Sequence, residues 1–359
     1  MGATGRDRTQ SGALEGGCFM DSGRDLFRKA IEFRGPDRLP STINVNFNFL
    51  HEKDRDKETR IRELLAGSLA ESEPFLWCWI DQEDRRDGIV RKVDEWGVGW
   101  RDDGHGMITT HHPMEDGYER LPQVHFPEPN AEGRFRMADA RLQNRDGKYT
   151  VGTVWFTLFE RLWMLRGFDN ALTDPYFFER EFMALKERIL EINLGMIDRW
   201  IERKVDAVFF SDDWGSQRSL LIDPEDWRRL YRRDYARMFE KARNAGLHVW
   251  MHLCGNIEAI LPDLVDIGLS VLNPVQPQAM DLDRLARRFG GHLCFNGGVD
   301  VQGTLITGTP EDVRMELRRI VDRFGRFRGG YIAGTSHSIM PETPLDNIIA
   351  LLEALQAFR

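Results

Sequence analysis

Long apolar runs are missing from this chain, and no stretch approaches the roughly 20 residues that a membrane-crossing helix needs. The N-terminal MGATGRDRTQSGALEGGCF lacks the apolar segment of a secretory signal, so residues 1–21 read as a flexible leader. Cysteine is scarce. The four present, Cys18, Cys78, Cys254 and Cys294, show no disulfide-framework spacing, which argues for a reducing, cytoplasmic setting. Positive charge is also in deficit: 49 Lys and Arg face 58 Asp and Glu, a formal net charge of −9. A nucleic-acid partner is therefore not expected, because a phosphate-backbone binder usually carries a basic surface. A dinucleotide fingerprint is absent too. Gly325-Arg-Phe-Arg-Gly-Gly330 precedes a strand-like segment instead of following one.

What remains is length and alternation. A chain of 359 residues can bury a large core. A helix is expected over 22–33, a strand over 41–50 and a helix over 51–69. The mixed segment 77–147 reads as a lid or hairpin insertion, and its histidines His105, His111 and His112 as surface groups. From residue 148 the pattern is regular. Strands are expected at 149–158, 205–211, 248–253, 271–273, 292–296 and 330–333. Helices are expected from Asp174 to about residue 203, from Asp223 to about Gly246, over 257–267 and 282–289, and from Thr309 and Thr343. Asp223-Pro-Glu-Asp226 and Thr309-Pro-Glu-Asp312 share helix-start grammar, a capping side chain followed by proline where a missing N–H costs nothing. Apolar strands alternating with amphipathic helices imply a mostly parallel sheet covered by helices. We expect an α/β fold, a single distorted (β/α)8 TIM barrel over 22–359, with an open doubly wound sheet as the competitor.

Five expected strands end in polar clusters: SDDWGSQ, HLCGN, NPVQP, NGGVD and GTSHSIMP. In a parallel barrel all strand C-termini share one face, the usual place for chemistry. His252 and Cys254, two apart at a strand end, present an imidazole and a thiol to the same side, a pairing that suits zinc. His337, past another strand end, completes a His/Cys/His set with a fourth position left for water or substrate. Cys294 is the alternative third ligand. Asp212 and Asp213 are candidates for proton handling or for orienting His252. Glu160, Gln217, Asn273, Gln276, Asn296 and Asp300 are candidates for binding substrate or cofactor. The ten Trp residues suit either a core or a pocket for a flat or bulky ligand.

The motifs LFERLWMLRGFDN, FFSDDWGSQ, HVWMHLCGN, VLNPVQPQA, FNGGVDVQGTL and GGYIAGTSHSIMPETPLDNI, in this order, resemble the uroporphyrinogen decarboxylase superfamily. That resemblance implies a distorted (β/α)8 barrel. The decarboxylases themselves carry an arginine-rich RQAGRY loop near the N-terminus that this chain lacks. Their C-terminal Gly-His-Gly is similar to Ser336-His337-Ser338, but they need no metal and lack His-x-Cys-Gly. His252-Leu-Cys-Gly255 is closer to the zinc-dependent corrinoid methyltransferase branch, whose third ligand is typically Cys where His337 stands here. The resemblance implies Zn2+ as cofactor and a corrinoid such as cobalamin as co-substrate or on a partner protein. It further implies methyl transfer to a thiol or release from a methyl ether; without zinc, Asp212, Asp213 and His337 are the catalytic candidates, handling proton transfer in a metal-free decarboxylation. Two alternatives remain: a metal-free decarboxylase, and a non-catalytic corrinoid- or tetrapyrrole-binding module. The partners implied are a small-molecule substrate and a corrinoid protein, and a homo-oligomer is left open.

Overall fold

Segments rich in Val, Phe, Ile and Tyr recur after successive helices, and their backbones find partners in one parallel ladder. A computed structural model of the chain describes residues 20–358 apart from 44, 46–53, 79–81, 87–88 and 103–106. Most of the leader, Cys18, His105 and much of the strand expected over 41–50 lie outside the described residues. The strands are β1 (Ser41–Thr42), β2 (Ser72–Leu76), β3 (Gln82–Arg86), β4 (Ile89–Val93), β5 (Gly99–Asp102), β6 (Met107–His111), β7 (Tyr149–Val154), β8 (Ala207–Ser211), β9 (His248–His252), β10 (Val271–Val275), β11 (Cys294–Val299) and β12 (Tyr331–Thr335). Eight lie side by side in the order β1-β12-β11-β10-β9-β8-β7-β2. Their pairings are all parallel. Among the described residues no ladder joins β2 back to β1. With helices between the strands, this near-closed sheet is a distorted (β/α)8 barrel. Within the chain between β2 and β7, strands β3 to β6 form a separate antiparallel sheet of four. No helix among the described residues is long and apolar enough to cross a membrane.

Helix starts follow their capping chemistry. Ser22, Asp223 and Thr309 each accept a hydrogen bond from a first-turn N–H, and Thr309 with Asp312 forms a capping box. Most boundaries shift by a few residues, such as the strand expected over 149–158 that ends at Val154 and the helix expected over 257–267 that spans Leu261–Asp266, and one assignment changes in kind. Asp174-Pro175 does not open the long helix but lies inside helix Phe168–Phe177, and Glu179–Glu202 follows it. The reason is that Asp174 is buried against Arg166 at 2.7 Å and Tyr118 Oη at 2.8 Å. Its carboxylate satisfies side chains rather than backbone donors. The helix Phe159–Arg166 is an addition to the expected elements.

Side chains alternate along a strand, so every second residue points into the barrel. Tyr149, Val151, Ala207, Phe209, Trp250, Val271, Cys294 and Ile332 pack together there. Phe27, on helix Gly23–Ile31, joins the same cluster and stacks on Tyr149 at 5.2 Å. Further toward the strand C-termini, the interior positions become Trp155, His252, Asn273 and Asn296. That change from packed apolar floor to polar rim positions the site.

Candidate metal centre

The rim residues assemble around the last residue of β9. His252 Nδ1 donates to Asn273 Oδ1 at 2.8 Å on the neighbouring β10, where the two residues are in register. Asn273 Nδ2 donates to Asn296 Oδ1 at 2.6 Å on β11. Asn296 Nδ2 in turn reaches Thr42 Oγ1 at 2.9 Å and the Ile332 carbonyl at 3.0 Å. A chain of amides thus crosses the barrel mouth and fixes the His252 tautomer. With the proton on Nδ1, Nε2 is left as a lone-pair donor.

Nε2 faces Cys254 Sγ at 3.3 Å. The ligand-capable atoms of His252, Cys254 and His337 all lie within 4.8 Å of one another. In a tetrahedral zinc site, bond lengths of about 2.3 Å to sulfur and about 2.0 Å to nitrogen place S and N roughly 3.5 Å apart. The donor set and spacing therefore fit zinc with modest closure, and leave a fourth position for a small ligand. The His252 and His337 ring centroids are 5.7 Å apart.

The loop carrying Cys254 is held tightly. Cys254 N–H donates to Asp213 Oδ1 at 2.8 Å, and Gly255 N–H donates to Gln276 Oε1. Gly255 takes a φ of +79°, and a Cβ there would sit 2.3 Å from Gly215 backbone atoms. Only glycine allows the two loops this approach. Asp213 Oδ1 also lies 3.8 Å from His252 Nε2. Burial, and next the Asp213 charge, push the Cys254 thiol well above its ordinary pKa. His337 stands on the exposed rim, yet desolvation where its ring meets the protein, and then the neighbouring His252, lower its pKa; Asp213 opposes the shift.

Other residues singled out from the sequence are placed less centrally. Asp212 is fully buried and accepts from the N–H groups of Leu158, Phe159 and Glu160 and from Tyr235 Oη. It caps helix Phe159–Arg166; burial raises its pKa to about 6 against the pull of those donors. Glu160 is buried with its carboxylate on Ser211 Oγ at 2.6 Å, and burial and the two adjacent aspartates raise its pKa strongly. Gln217 lies in an exposed turn. Asp300 accepts from Gln278 Nε2 at 2.7 Å and lines a different hollow with Thr304 and Glu316. Cys294, the alternative third ligand, is ruled out by strand geometry. It points inward at the start of β11, two residues and so about 7 Å below Asn296, within the apolar floor. His112 Nδ1 is engaged by the Met164 carbonyl at 2.8 Å, and no second ligand cluster occurs among the described residues.

In front of His252 and His337 opens a cavity of about 470 Å³, within the usual range for small-molecule sites. Phe75, Trp77, Trp155 and Phe209 form one wall. Trp155 comes within 5.6 Å of the His252 ring. Sequence reasoning singles out neither these wall residues nor Arg141 at the cavity's edge. Trp155 and Phe209 obey the inward alternation of β7 and β8, but Arg141 comes from the segment between β2 and β7, where no periodicity points to the barrel.

A family model described as uroporphyrinogen decarboxylase (URO-D) matches residues 156–358, more than half of the chain. The chain belongs to the URO-D family. Among curated relatives, the uroporphyrinogen decarboxylase of Dechloromonas aromatica (strain RCB) is 24% identical over 177 residues, covering 48% of each protein. That of Thermus thermophilus is 27% identical over 176 residues, 48% of this chain and 47% of the relative. The chain thus matches about half the length of these URO-D relatives. A solved methyltransferase from Methanosarcina mazei superposes over 94% of this chain and 99% of its own, with a TM-score of 0.69 and 16% identity. At that identity the likeness is one of fold. Family membership, the barrel and the ligand cluster at its rim together support a catalytic role without fixing the reaction.

Proposed function

We propose that the protein is a zinc-dependent methyltransferase. It moves a methyl group between a methylated small molecule or a corrinoid, free or carried by a partner protein, and an acceptor such as a thiol. The observation that carries this reading is the convergence of His252, Cys254 and His337 at the open end of the barrel, with Asn273 fixing the nitrogen that faces the sulfur. Zinc held there supplies Lewis acidity, which lowers the pKa of a thiol or eases departure of an oxygen leaving group. The chain supplies the rest. Asn273 keeps His252 Nε2 unprotonated, and the aromatic wall limits water. Asp213, beside both His252 and Cys254, is placed to hold the proton given up by an incoming thiol. The Methanosarcina methyltransferase supports the barrel this chemistry needs and nothing finer.

Decarboxylation is the second reading, favoured by the match of the second half to uroporphyrinogen decarboxylases. Against it, Arg141 is the single arginine among the described lining residues of the cavity, a poor complement to a polycarboxylate. Elemental analysis of protein prepared without added metal tests the site. About one zinc per chain, lost in Cys254→Ala and His337→Ala, is expected. Full occupancy in both variants would sink the ligand assignment. Incubation with a methylcobamide and thiols should release the methyl group, whereas loss of carboxylates from a porphyrinogen instead would favour decarboxylation.

A further inference from the structure

A second, much smaller hollow of about 50 Å³ lies between the end of β7, the antiparallel sheet and helix Glu179–Glu202. That size gives room for roughly three or four waters, or for one anion of three or four heavy atoms. Trp155 lines both this hollow and the barrel-mouth cavity. The next residue, Phe156, takes a φ of +57° and stacks on Trp100 of β5 at 5.3 Å. Adjacent residues of one strand end thus serve the barrel and the insertion.

Three cations, Lys92, Arg134 and Arg161, line the hollow against two carboxylates, Asp94 and Glu95. Glu95 is taken up by Arg134, whose Nη1 donates to Oε1 at 2.6 Å and whose Nη2 donates to Oε2. Asp94 is taken up as completely. Its oxygens accept from the N–H groups of Trp96 and Val98, from Trp100 Nε1, and from Arg161 Nη1 at 2.9 Å. A carboxylate offers about four acceptor sites, so Asp94 has nothing left for a further donor. Arg161 still has one to place. Its side chain is only 7% exposed, with the guanidinium 4.7 Å from the Trp96 ring and 5.5 Å from the Phe156 ring. Its Nε is buried and has no hydrogen-bond partner. A buried charged donor left unpaired is costly, which strongly favours an acceptor beside it.

We propose that this hollow binds a small monoanion of the size of formate, nitrate or bicarbonate, with one of its oxygens accepting from Arg161 Nε. Charge sets the sign of the ligand. A cation would meet three positive side chains and find no open acceptor on Asp94, whereas an anion meets cations in the majority. Volume sets the size, since about 50 Å³ excludes an aromatic or polycarboxylate ligand. A water would satisfy Nε but would leave the surplus positive charge of the lining as it is. A bound anion would join helix Phe159–Arg166, the antiparallel sheet and the end of β7, and so fasten the insertion to the strand that carries Trp155. None of His252, Cys254 and His337 lines the hollow, so the site stands apart from the reaction at the barrel mouth.

The test follows thermal unfolding of the full chain at constant ionic strength set with gluconate, an anion too large for the hollow. Formate and nitrate should each raise the melting temperature saturably, by about 3–6 °C at a hundred times the dissociation constant. Formamide, a neutral molecule of nearly the same shape as formate, should not. Arg161→Lys keeps a cation for Asp94 but removes Nε, and should abolish the rise. Cys254→Ala should retain it, which separates this hollow from anion binding at the barrel mouth. Lys92→Gln, at a half-buried position, should weaken formate about threefold through the lost charge, and it carries the comparison if Arg161→Lys does not fold. Circular dichroism of each variant is the folding control. No saturable rise with either anion, which means water only, would overturn the proposal. So would a rise equal for formate and formamide, a formate effect that survives Arg161→Lys or disappears in Cys254→Ala, or an unchanged formate affinity in Lys92→Gln.

Discussion

Replacing Asn273 with alanine removes the acceptor that holds His252 Nδ1–H at 2.8 Å and the donor that reaches Asn296 Oδ1 at 2.6 Å. The two losses act on different quantities. Without its partner, the His252 ring is free to rotate and to place its proton on Nε2, the nitrogen that faces Cys254. Removing an outer partner of a metal-binding histidine typically costs about 10- to 100-fold in metal affinity, or about 1.4–2.8 kcal/mol. The Asn296 carbonyl oxygen, in a residue only 1% exposed, loses a donor as well, a cost to folding of about 1–3 kcal/mol. Asn273→Asp separates the effects. A carboxylate still accepts from Nδ1–H, so zinc affinity should stay near that of the parent, but it cannot donate to Asn296, so stability should fall. Competition against a chromogenic zinc chelator reads the first quantity and urea unfolding of the metal-free chain reads the second. If alanine binds zinc within about twofold of the parent, or if alanine and aspartate lose affinity equally, His252 is not oriented through Asn273 and the tautomer reasoning fails.

Three further outcomes are expected. Gly255→Ala should lower zinc content sharply while changing overall secondary structure little, because a Cβ at this positive φ meets Gly215 at 2.3 Å and pushes the Cys254 loop away; zinc analysis alongside circular dichroism checks it. Asp212→Ala should destabilise the fold by about 2–4 kcal/mol in urea titrations, since three helix N–H groups and Tyr235 Oη lose their acceptor together. Asp212 also carries a pH signature: its folded pKa of about 6 exceeds the ordinary 3.8, so the folded state holds the extra proton between these values. Its contribution to stability should therefore decline as pH rises from about 3.8 through about 6, a slope that Asp212→Ala removes. The raised Cys254 pKa keeps that thiol protonated in the metal-free protein at neutral pH, so zinc binding should release about one proton per ion. Calorimetry in buffers of different ionisation enthalpy counts it, and the count should drop in Cys254→Ala.

The barrel is readable because its evidence is periodic. Short apolar strands between amphipathic helices repeat from residue 148 onward, and proline-containing caps such as Asp223-Pro224 and Thr309-Pro310 mark helix starts by local chemistry alone. The convergence of His252 and Cys254 follows from two-residue spacing at a strand end. His337 meets them because parallel strands end on one face. Elsewhere the same local reasoning stops short. Two adjacent aspartates look alike in sequence, yet Asp212 turns to cap a helix and Asp213 turns to the Cys254 loop; only packing distinguishes them. Asp174 resembles a helix cap but directs its charge to Arg166 and Tyr118. Arg141 and Trp77 reach the cavity from outside the regular repeat, where no spacing rule anticipates a tertiary contact. Cys294 shows the opposite case: the alternation that points it inward also places it one layer too deep.

The identity of residue 337 bears on which methyl chemistry the site suits. The methyltransferase branch that His252-Leu-Cys-Gly255 resembles typically brings a second thiolate to this place. An imidazole brings a lone pair without a charge, so a divalent ion held by His252, Cys254 and His337 would keep one more unit of positive charge than one held by a histidine and two thiolates. Added positive charge draws a bound thiolate closer and makes it a poorer nucleophile, but it stabilises negative charge building on an oxygen leaving group. Asp213, whose Oδ1 lies 3.8 Å from His252 Nε2 and outside the three-residue set, would offset part of this. Across the cavity, no described lining residue is a carboxylate. If zinc is held here as proposed, a site so charged would stabilise an oxygen leaving group more than it would sharpen a bound thiolate. Under the proposed methyl transfer, His337 in place of a thiolate would therefore favour an ether as methyl donor over a free thiol as the metal-bound partner.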